Sequence, residues 1–111
     1  MSEVDRRKFE RVTLPESAKV FAEDERGNSL GPVRILGRGG MLVDTRAALA
    51  SGSHGAFYIV DDSEAIRREV HAVVRYVVSD GIGLEFEDLD PDAAVEIGVI
   101  IGKHYSAAHA R

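Results

Sequence analysis

From Arg67 to Val78 the chain is rich in β-branched residues, and Val70, Ala72, Val74, Tyr76 and Val78 fall at every second position. Side chains alternate across a strand, so this spacing places all five on one face and predicts the longest strand of the molecule. The same period recurs on either side. Ala18, Val20 and Ala22 alternate with Lys19, Phe21 and Glu23, Ala56 to Val60 form an apolar run, and Ile82, Leu84 and Phe86 alternate with Gly83, Glu85 and Glu87. Turn chemistry separates these segments at Glu25-Arg26-Gly27-Asn28, Ser51-Gly52-Ser53 and Asp80-Gly81, and a charged loop runs from Asp61 to Glu64. From Val33 two strand-like pieces are interrupted by Gly37, Gly39 and Gly40, where positive φ or close backbone approach costs little.

Beyond Asp88 the period changes. Asp90 suits a helix N-cap, Pro91 the first helical position and Asp92 the positive end of the helix dipole, while Val95, Val99 and Ile100 follow as apolar points. The pattern predicts a helix to about His104, held by packing of Ile97, Ile100 and Ile101, because Gly98 and Gly102 each weaken it by roughly 1 kcal/mol relative to alanine. Short strands at regular spacing followed by one helix predict an all-β fold: a small antiparallel barrel of about six strands with a C-terminal helix packed on it. The strand-then-helix order argues against a parallel βαβ sheet.

At 111 residues the chain is the size of one domain, with a modest core and little room for a deep catalytic cavity. A formal net charge of -5 excludes DNA or RNA binding through bulk electrostatics, so any anion site must come from local clustering of basic residues. Without cysteine, thiol nucleophiles, thiolate metal sites and disulfides are excluded. The opening MSEVDRRKFER has no apolar h-region, and no stretch approaches the roughly 20 apolar residues of a membrane span, which predicts a cytoplasmic location. His54, His71, His104 and His109 show no metal-ligand spacing, and no nucleophile with an activator can be found, so the expected function is not enzymatic and needs no cofactor or metal. Asp88, Asp90 and Asp92 precede a helix and read as capping residues rather than a metal loop. The aromatic residues, Tyr76 among them, read mostly as strand core.

Arg6, Arg7, Lys8 and Arg11 concentrate four of the 14 basic residues at the start of an acidic chain. Guanidinium forks can hold phosphate oxygens and stack on planar bases, so an arginine-rich arm could close over a nucleotide; a solvated tail fits the spacing equally. The loop Gly37-Arg38-Gly39-Gly40 could bring main-chain N–H groups to an anion, or could be a tight turn or bulge in a sheet. It lacks the Lys-Ser or Lys-Thr pair of a P-loop.

Taken in order, the RRKFER arm, the stretch from Val33 to Val43 and the later GIGLEFEDLDP segment before a helix resemble the PilZ domain family over nearly the whole chain. The resemblance implies a small β-barrel with a terminal helix, divided as an arginine-rich flexible arm over residues 1–14, a barrel with its helix over 15–105 and a frayed tail over 106–111. It also implies cyclic di-GMP as a regulatory ligand, bound through an Arg-x-x-x-Arg motif and an Asp/Asn-x-Ser-x-x-Gly motif. Arg7 and Arg11 match the first, with Arg6 beside them, and the family implies phosphate and guanine contacts for them. The second falls on Ile35 to Gly40, where Gly40 agrees but Ile35 replaces the acid or amide and Gly37 replaces the serine. The expected ligand site is therefore Arg6, Arg7, Arg11, Gly37, Arg38, Gly39 and Gly40. The expected function is a cyclic di-GMP receptor or adaptor in bacterial signalling that acts on an effector protein. The alternative is a degenerate PilZ domain that binds no nucleotide and serves as a protein-interaction or homodimerisation module, through helix surface around Val99, Ile100 and Ile101.

Overall fold

A computed structural model describes residues 11–109. The elements are β1 (Arg11–Thr13), β2 (Val20–Asp24), β3 (Ser29–Gly37), β4 (Gly40–Asp44), β5 (His54–Asp61), β6 (Ile66–Val78), β7 (Gly81–Glu87) and α1 (Pro91–His109). All strand pairings are antiparallel, in the order β1-β3-β2-β5-β6-β7-β4, and the additional β3–β4 pairing closes six strands into a barrel. The expected all-β barrel with a C-terminal helix is what the chain adopts.

Alternation explains the interior. Val20 and Ala22 of β2, Leu36 of β3, Met41 and Val43 of β4, Phe57 and Ile59 of β5, Val70, Ala72 and Val74 of β6 and Ile82 and Leu84 of β7 are all buried. The helix adds Ala93, Ile97, Ile100 and Ile101 to the same core. Its start is capped as the sequence predicts, since the Asp90 carboxylate accepts the Ala93 N–H at 2.8 Å.

Four expectations need correction. The barrel sheet includes Arg11–Thr13, which pairs with Gly37–Ile35 of β3, and Val12 and Leu14 are buried; the residues assigned to an arm up to 14 are thus partly sheet. The helix runs on to His109 rather than ending near His104, in a stretch whose Ala107 and Ala108 favour helix. Val95 and Val99 lie on the outer side of that helix and are 65% and 48% exposed, whereas Ile100 and Ile101 are buried, so the face expected to meet a partner is largely core. Finally, β6 does not keep one face inward. A register shift between Val74 and Tyr76 leaves Tyr76 and Val78 each 50% exposed.

A buried polar corner ties the helix to the barrel. Asp61, at the end of β5, is completely buried and accepts the Ser63 N–H at 3.0 Å, the Ser63 hydroxyl at 2.6 Å and Lys103 Nζ of α1 at 2.9 Å. Burial pushes the Asp61 carboxyl up, but the hydrogen bonds from Ser63 and Lys103, with the lysine charge, outweigh it and hold the group below the ordinary carboxylate value.

Candidate functional site on the barrel wall

The outer faces of β3, β4, β7 and β6 form a continuous row. Ile35 pairs with Leu42, Leu42 with Gly83 and Gly83 with Tyr76, and cross-strand partners project to the same side of a sheet. In the neighbouring row Arg11 pairs with Gly37, and Gly40 with Glu85. These residues, with Gly39 and Arg75, line an open concavity of about 510 Å³.

Glycine shapes its floor. Gly40 sits so close to β7 that an added Cβ would overlap the Leu84 carbonyl, and the Gly39 carbonyl accepts the Phe86 N–H at 2.9 Å, so the loop is pressed onto its neighbour. Close approach, not positive φ, is what Gly40 provides, since the glycines with positive φ are Gly27, Gly31 and Gly52. Gly83 has no side chain because the Tyr76 ring lies over it, and a Cβ there would collide with ring atoms.

Of the expected site residues, Arg11, Gly37, Gly39 and Gly40 meet in this concavity. Arg38 turns elsewhere: its guanidinium packs over Gly98 of α1, where a Cβ would come within 3.3 Å of Nη1. Arg6 and Arg7 lie outside the described residues. Ile35 lines the wall and offers no hydrogen bond, so neither it nor Gly37 supplies the contact that an acid or serine would make.

Three residues of the site escape sequence reasoning: Arg75, Tyr76 and Glu85. Arg75 Nε donates to Glu85 Oε1, and both side chains stay at least half exposed. Period-2 spacing assigns Tyr76 to the interior, and the register shift overturns that assignment. The one available signal is Gly83, a gap on the strand facing β6 that an aromatic ring can fill. Among the described residues no cluster of three metal-ligating side chains exists.

The sequence matches the model of the PilZ domain over residues 5–102. The chain belongs to the PilZ domain family. Solved structures agree on the fold. An uncharacterized protein of Legionella superposes with a TM-score of 0.64 at 13% identity, covering 88% of this chain and 96% of that one. YcgR from Escherichia coli, in complex with c-di-GMP, gives 0.69 at 16% identity, covering 88% of this PilZ chain and 45% of its own. The inhibitor of motility MotI/DgrA from Bacillus subtilis gives 0.69 at 17%, covering 92% and 52%. The PilZ chain therefore spans about half the length of the latter two. No curated protein matches its sequence. No described helix is long and apolar enough to cross a membrane.

Proposed function

We propose that this PilZ domain is a cyclic di-GMP receptor that signals to an effector protein in the cytoplasm. One observation carries the reading: Arg11 and the motif-derived residues Gly37 and Gly40, which belong to separate parts of the sequence, line one concavity on the barrel wall. Its size suits a nucleotide, within the range of a few hundred to about 1,000 Å³ usual for small-ligand sites. Family membership and the c-di-GMP complex of YcgR support the same ligand class.

Arg11 opens β1 at the rim of the site, with its Cα opposite Gly37. Arg7 is four residues upstream, within roughly 14 Å along an extended chain, which lets both guanidinium groups grip one cyclic dinucleotide. A ligand gripped by both arginines would then change the surface presented to a partner. Ile35 and Gly37 each forgo a hydrogen bond of about 1 kcal/mol, which sets the affinity roughly tenfold to a hundredfold below that of a complete motif.

Calorimetric titration with cyclic di-GMP tests this. Saturable heat from the unsubstituted chain, weakened at least tenfold by Arg11→Ala or Arg7→Ala, is the expected result, since a hydrogen bond to a charged group contributes about 1.5–3 kcal/mol. No heat at high ligand concentration overturns it. A nucleotide-free interaction module is the second reading, favoured by the exposure of Val95 and Val99 on α1. It predicts a homodimer or a stable complex with another protein that forms without nucleotide.

A further inference from the structure

The register shift in β6 sets up a recognition surface that the family motifs do not include. Val74 pairs with Leu84 and Tyr76 with Gly83, so Arg75 is an extra residue with no partner on β7. Such a bulge re-aims side chains, and here it delivers two consecutive residues, Arg75 and Tyr76, into the concavity. Tyr76 rests one ring face over Gly83 and remains 50% exposed. Arg75 and Glu85 are 62% and 50% exposed, and a pair so open to water adds little to stability. Fold stability therefore does not account for the Arg75–Glu85 pair.

The pair's chemistry is that of a base reader. With Nε–H committed to Glu85, the terminal N–H donors of Arg75 and the second carboxylate oxygen of Glu85 have no hydrogen-bond partner among the described residues. Together they present donors followed directly by an acceptor. Around a guanine the order is N7 and O6 as acceptors, then N1–H and the N2 amino group as donors; adenine instead offers N7, an amino donor and N1. The Arg-Glu edge complements the first order and conflicts with the second. An exposed aromatic ring beside it gives the base a face to stack on, and stacking tolerates any base.

We propose that Arg75, Tyr76 and Glu85 form a guanine-reading subsite on the barrel wall, where Glu85 supplies from β7 the carboxylate that Ile35 does not supply from β3. The inference rests on the receptor reading above and adds to it how the base is chosen. Tyr76 carries the stack, Arg75 meets N7 and O6, and Glu85 accepts from N1–H and the N2 amino group.

The test is titration of the full chain with cyclic di-GMP and, separately, cyclic di-AMP, using the unsubstituted protein and Glu85→Gln, Arg75→Ala and Tyr76→Ala. Glu85→Gln and Arg75→Ala should each weaken cyclic di-GMP about tenfold or more while leaving cyclic di-AMP unchanged, narrowing the preference between the two. Tyr76→Ala should weaken cyclic di-GMP by a similar factor, and any residual cyclic di-AMP binding with it. Thermal melting of each variant checks that the barrel is intact. Unaltered cyclic di-GMP affinity in both Glu85→Gln and Arg75→Ala, with the unsubstituted chain binding, overturns the subsite alone. No heat from the unsubstituted chain overturns the receptor reading and the subsite with it.

Discussion

The Lys103–Asp61 pair and the Arg75–Glu85 pair each join a cation to a carboxylate across two elements, yet Asp61 is fully buried whereas Glu85 is half exposed. Around Asp61 every partner is internal: Ser63 donates twice, and Lys103 also reaches Ser63 Oγ at 2.8 Å and Glu64 at 3.2 Å. Removing Lys103 there leaves the buried Asp61 carboxylate without its cation, and removing Asp61 takes away the acceptor that ties both Ser63 and Lys103 to the barrel. At the rim, water competes for Arg75 and Glu85 already, so a ligand can replace it at small cost. Burial thus sorts two chemically similar contacts into one that fastens the helix to the β5–β6 turn and one that stays available to an outside molecule.

The sharpest way to break that contrast is Asp61→Ala. It should cost about 3 kcal/mol, read from denaturant unfolding, because it removes a buried, multiply bonded carboxylate. A loss below about 1 kcal/mol would mean that the corner does not fasten the helix.

Acid provides an intermediate test. Burial, and then the Lys103 charge, hold the His104 imidazole below its ordinary value of 6.5, against a smaller opposing pull from Asp61. Among the described residues its Nε2 is buried without a hydrogen-bond partner. Both His104 and Asp61 have depressed folded-state values, so each contributes stability above its unfolded value and loses it as pH falls. Melting temperature should therefore fall in two stages, the first starting near the histidine value of 6.5 and the second near the carboxylate value of 3.8. His104→Gln should remove the first stage only; a single stage in both proteins would assign the acid sensitivity to other groups.

The smallest effect belongs to Arg75→Ala. Stability should change by less than about 0.5 kcal/mol, as for other exposed pairs, even as nucleotide affinity drops. A loss comparable to that of Asp61→Ala would make the rim pair structural.

The barrel could be read in advance because burial enforces alternation: Val70, Ala72 and Val74 point inward as their spacing requires, and Asp90-Pro91 marks the helix start. Part of the candidate site stood out in the sequence too, since Arg11 and the loop glycines contrast with an acidic chain, and these residues line the concavity. Spacing alone does not register an inserted residue that shifts the count. The unpaired Arg75 moves Tyr76 from interior to rim, and the sequence alone gives no period by which to see it. β1 was hidden for a different reason. Three residues between Glu10 and Leu14-Pro15 carry too little pattern, and only the pairing with β3 and the burial of Val12 make them a strand. Val95 and Val99 misled in the opposite sense, as apolar points on a helix whose inward stripe is Ala93, Ile97, Ile100 and Ile101.

Closure of the six-stranded ring has a consequence for how other molecules can approach. Among the described residues only the short β1 ends the sheet, so the domain offers almost no backbone template onto which another chain could add a strand. Copies of it can crowd together without polymerising edge to edge. A molecule that meets the described barrel therefore finds side chains, such as those around the mouth of the concavity, rather than an open sheet edge.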